Sequence, residues 1–72
     1  MSAGVPAGPL ESGPGGFLPG EERLAVLAGA LDGVELGAWD RRVVGWLAEL
    51  DTPTLVTVAS WIARARAAGQ SR

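Results

Sequence analysis

The sequence predicts an all-α fold, a small three-helix bundle behind a disordered Gly/Pro-rich N-terminal tail. Three observations carry that reading. From Gly20 onward the apolar residues recur at helical spacing. That run is punctuated at Gly33 and at Asp51-Thr52-Pro53, residue types that stop and start helices. Before Gly20 the chain is crowded with Gly and Pro, carries little charge and has no apolar period.

Residues 1–19 therefore read as a tail, and 20–72 as the helical domain. The tail's one apolar spot is Phe17-Leu18, placed to pack against the first helix as the residue before a cap often does. Pro14-Gly15-Gly16 has no Lys-Ser or Lys-Thr after it, so it is not a phosphate loop.

The first helix is expected at about 20–32. Glu21 and Glu22 sit in its first turn, where negative charge suits the dipole, and Leu24, Leu27, Ala28 and Leu31 fall at i, i+3, i+4 and i+7. Gly29 weakens it internally and Gly33 closes it in a left-handed conformation. The second helix, at about 37–50, places Trp39, Val43, Trp46, Leu47 and Leu50 on one face, with Arg41, Arg42, Gly45, Ala48 and Glu49 opposite. Trp39 and Trp46 are accordingly expected in the core, and Asp40 is expected to serve the helix start. The third helix, at about 53–68, should be capped by Thr52 with Pro53 at its first position. Leu55, Val58, Ala59, Ile62 and Ala65 centre its apolar face, which Val56, Trp61 and Ala63 widen on both sides.

Composition narrows the function by exclusion. With no Cys, His or Tyr in 72 residues, and no Lys, the chain lacks a thiolate, an imidazole, a phenol and a Schiff-base amine, and with them the thiolate and imidazole ligands that hold zinc. The expectation is a protein without enzymatic activity, cofactor or metal. A carboxylate site from Asp32, Glu35 and Asp40 ranks last, because their spacing does not make them converge. The net charge of -2 gives no global attraction to nucleic acid or to an anionic membrane. Basic charge is carried by Arg alone, which fits the Ala/Gly/Pro/Arg bias of a GC-rich coding sequence. No apolar run approaches the roughly 20 residues of a membrane span, and the N-terminus lacks the pattern of a signal peptide, so a soluble cytoplasmic protein is expected.

The stretches Glu35-Leu36-Gly37-Ala38-Trp39-Asp40-Arg41-Arg42, Trp46-Leu47-Ala48, Asp51-Thr52-Pro53-Thr54 and Ile62 to Ala68 resemble a group of small uncharacterised actinobacterial proteins, some encoded near integrase or replication genes of mobile elements. The resemblance covers about residues 31–69 and implies no activity and no site residues. The turn into the third helix, ending Arg64-Ala65-Arg66, is also similar to the end of a helix-turn-helix such as the DNA-reading region of sigma factors. That similarity implies Thr54, Thr57, Arg64 and Arg66 as DNA contacts. Against it, a recognition helix reads bases from its N-terminal turns, where this one offers Thr54, Thr57 and Ser60.

A domain this small buries too little surface to be comfortably stable alone, and three tryptophans could add burial across an interface. The leading expectation is a helical protein–protein interaction module that self-associates or docks on a larger protein through the third helix. Its interface would be the strip of Trp61, Thr57, Ala65 and Ala68. The alternative is a small helix-turn-helix DNA-binding regulator of a mobile element.

Overall fold

The computed structural model describes residues 5–70. Among them are three helices, α1 (Gly20–Ala30), α2 (Ala38–Leu47) and α3 (Thr52–Gln70), and no strand. The all-α three-helix architecture is the one the periodicity predicts.

Each boundary has a local cause. Pro19 stands before α1 in extended conformation, and its carbonyl accepts hydrogen bonds from Glu22 N at 3.0 Å and Arg23 N at 2.9 Å. The helix ends at Ala30, two residues sooner than expected, and a turn follows in which Val34 N donates to Leu31 O. Gly33 lies in that turn at φ +83°, where a side chain would be strained. At the start of α2 the Asp40 carboxylate reaches back to accept from Gly37 N at 2.9 Å, the helix-start role expected of it. α2 closes with tight turns, Glu49 N to Trp46 O and Leu50 N to Leu47 O, so residues 48–50 lie outside it.

The start of α3 differs from expectation. Leu55 N donates to Asp51 O at 3.0 Å, so Asp51 is the capping residue and Thr52 and Pro53 already lie inside the helix. The Thr52 hydroxyl is turned elsewhere, accepting from Leu18 N at 3.0 Å and donating to Leu18 O at 3.4 Å. The reason is burial. Thr52 is 4% exposed, and a hydroxyl removed from water takes the nearest backbone groups.

The core is a seam between α1 and α3. Val26 and Leu27 of α1 meet Leu55 and Ala59 of α3, with Leu31, Val44, Leu47, Val58 and Ile62 packed around them. α1 and α3 form the main helix pair, and α2 leans more lightly on α1.

Residues 5–19 have neither helix nor strand, but they are tied to the domain rather than lying apart from it. Val5 and Leu18 pack against the core, and the fully buried Ser60 donates its hydroxyl to Pro6 O at 2.7 Å. Arg23 completes the attachment, donating through Nη1 to Leu18 O at 2.6 Å and through Nε to Ala48 O at 2.8 Å. Within the expected tail, Val5, Pro6 and Leu18 thus make contacts with the domain, because α3 presents buried hydroxyls that need partners. The part of the tail at residues 1–4 lies outside the described residues. Of the pair Phe17-Leu18, Leu18 packs inward and Phe17 stays exposed.

Candidate interaction surface

α2 contributes no residue to the buried core between Ala38 and Leu47. Trp39 is 70% exposed and Trp46 71% exposed, so the core position expected for them is wrong. The helix is turned so that Val44 and Leu47 face the core and Ala48, just past its end, is buried. The physical reason is that α2 carries two apolar stripes. Val44, Leu47 and Ala48 are spaced i, i+3, i+4 and are small enough to lie close on α1, and Arg23 fixes that end through the Ala48 carbonyl. Indole rings on the inner side would hold the helices further apart.

The outward stripe is a site in its own right. Trp39, Arg42, Val43, Gly45, Trp46 and Glu49 line an open groove of about 630 Å³. The Arg42 guanidinium sits 5.7 Å from the centroid of the Trp39 ring, within cation–π range. A smaller hollow of about 290 Å³ continues the surface past Trp46 to Leu50, itself 38% exposed. Arg42, Gly45 and Glu49 were not singled out by sequence reasoning, which assigned them to a solvated face. The signal that could have found them is the second stripe at Val44, Leu47 and Ala48, since a helix with two apolar faces must show one of them to something else.

The strip expected on α3 is only partly assembled. Trp61 is 59% exposed, and Ala65 and Ala68 are exposed beyond it. Thr57 is half-buried, and its hydroxyl donates to Pro53 O at 2.8 Å within the helix. The hollow beside Trp61, about 240 Å³, is bordered on one side by Gly13 of the N-terminal arm.

Of the residues named for DNA contact, Arg66 and Thr57 are engaged within the fold. Arg66 Nη1 donates to Ala30 O at 2.7 Å, closing the C-terminal end of α1. Arg64 is half-buried, with its Nε out of solvent contact. Thr57 is spent on Pro53, leaving Thr54 exposed at the helix start. Among the described residues no three acidic side chains gather closely enough to hold a metal ion, Asp32, Glu35 and Asp40 included. No described helix is long and apolar enough to cross a membrane. Compared with protein-family models, with curated proteins and with solved structures, the chain matches none.

Proposed function

We propose that this chain is a non-enzymatic helical protein–protein interaction module, working in the cytoplasm, whose docking face is the outer side of α2 rather than the α3 strip. The observation that carries the reading is the pair Trp39 and Trp46, one face of one short helix, each about 70% exposed. Single exposed apolar residues are ordinary, but two tryptophans seven residues apart, joined by Val43 and continued by Leu50, make a contiguous patch. Tryptophan and arginine are the residue types that dominate interface energetics, and Arg42 lies between the two rings in sequence. Trp61 offers a single ring beside an arm that already borders its hollow.

The test is affinity capture with the full chain from its native host, with bound proteins identified by mass spectrometry, using wild type, Trp39→Ala/Trp46→Ala and Trp61→Ala. The reading expects a defined protein, another copy of this chain included, held at near-stoichiometric yield, lost with the α2 double variant and kept with Trp61→Ala. Capture that depends on Trp61 and ignores α2 would move the docking face to α3. Capture that neither variant changes would remove the reading.

A further inference from the structure

Resting on that reading, we infer that the occupant of the α2 groove is a second copy of this chain, its α2 packed antiparallel across a two-fold axis. The outward stripe runs Trp39, Arg42 and Trp46 on α2 and Glu49 in the tight turn that continues it, a spacing of three, four and three residues along one groove. This is the seam spacing by which two helices interlock side chains along a common line. The order along the seam is aromatic, positive, aromatic, negative.

Reversing that order is what an antiparallel copy does. With the axis at the level of Val44 all four seam positions overlap, so Arg42 faces the partner's Trp46 and Trp39 faces the partner's Glu49. Each Arg42 then stacks on an indole and has the partner's Glu49 one layer along. A two-fold axis makes each of these contacts twice, which is how a single self-complementary patch closes into a dimer. Parallel pairing would instead bring like charges level, Arg42 on Arg42 and Glu49 on Glu49. Gly45 beside the seam adds no side chain, and nothing lies within 4 Å of where its Cβ would stand, so the backbones can approach there.

The area is of the right order. A tryptophan buries about 150–250 Å² when covered. Four of them, each some 70% exposed beforehand, supply on the order of 500 Å². Val43, Leu50 and the Arg42 and Glu49 stems add to this, toward the roughly 1,200 Å² at which specific dimers begin. That places the dimer at the weak, concentration-dependent end.

Sedimentation of the full chain across a concentration series tests this with Arg42→Glu, Glu49→Arg and the double exchange. Both sites are exposed, and circular dichroism checks that each variant keeps its helices. Within one chain Arg42 lies in α2 and Glu49 seven residues on, in the turn after it, too far along for the exchange to be compensated internally. The expected result is a monomer–dimer equilibrium for wild type, weakened at least about tenfold by each single reversal, with the double exchange returning to within a few-fold of wild type. A wild type monomeric at high micromolar concentration overturns the dimer, as does dimerisation that the reversals leave unchanged. In the monomeric case, α2-dependent capture of a different protein would leave the docking face in place with another occupant, and loss of both would remove the two readings together.

Discussion

The α1–α3 seam and the outer face of α2 put similar amounts of apolar side chain to opposite uses. In the seam Leu27, Leu55 and Ala59 have no solvent exposure, and every large residue is in contact with several others. On α2 the two largest side chains of the helix stand in solvent, while smaller residues, Val44, Leu47 and Ala48, hold it to the domain. The difference teaches that amphipathic strength does not say which face is the inner one. Packing is decided by which stripe can approach closely, and here the small stripe does.

Cutting the seam should have the largest effect on the protein. Leu27→Ala is expected to cost about 2–5 kcal/mol, enough in a domain this small to remove most of its cooperative thermal transition. A variant that melts like wild type would show that the seam is not what holds the chain together.

The attachments of the N-terminal arm come next. Ser60→Ala strands the Pro6 carbonyl, and Thr52→Ala strands Leu18 N while Leu18 O keeps Arg23 as its donor, each at about 1–2 kcal/mol by urea midpoint. Amide exchange at Leu18 should accelerate in Thr52→Ala and remain slow in Thr52→Ser, which keeps the hydroxyl. A helix-cap role would instead show as faster exchange in the first turn of α3 with Leu18 unaffected.

Smaller again is Arg66→Gln, expected to lose a few tenths to about 1 kcal/mol as the end of α1 loses its donor at Ala30 O. Thermal melts in low and high salt measure it. At the bottom of the scale, Trp46→Ala should alter protomer stability by no more than about 0.5 kcal/mol when measured at low concentration. A loss near that of Leu27→Ala would return Trp46 to the core and erase the contrast between the two regions.

How much of this was legible follows the range of the interactions. Helix existence and most boundaries depend on neighbours a few residues apart, and Gly33, Asp40 and the alternation of Leu55, Ala59 and Ile62 carried them. The phase of α1 was read less well, since Leu24 is 41% exposed and Val26 is buried in its place. The rotation of α2 was not legible, because either stripe satisfies a helical period and the choice depends on α1. The Thr52–Leu18 and Ser60–Pro6 contacts link residues 34 and 54 positions apart, and no local pattern marks them. For the same reason Thr52 looked like a cap: Thr-Pro is a strong local signal, overruled by a long-range partner. The α2 groove was visible only as an oddity of composition, a short helix with two tryptophans.

The distances along the chain at which these contacts form also set an order of events during synthesis. Leu18 waits for Thr52, Pro6 for Ser60 and Ala30 for Arg66, while Val26 and Leu27 have no matching surface before Leu55 and Ala59 exist. The buried core and most of the long-range hydrogen bonds close through α3. A nascent chain that has completed α1 and α2 can join those two through Arg23 and Ala48, but Val26 and Leu27 still lack the surface that buries them. Its passage to the native state finishes only once α3 has been made, a topology that postpones folding and leaves the incomplete chain dependent on its surroundings.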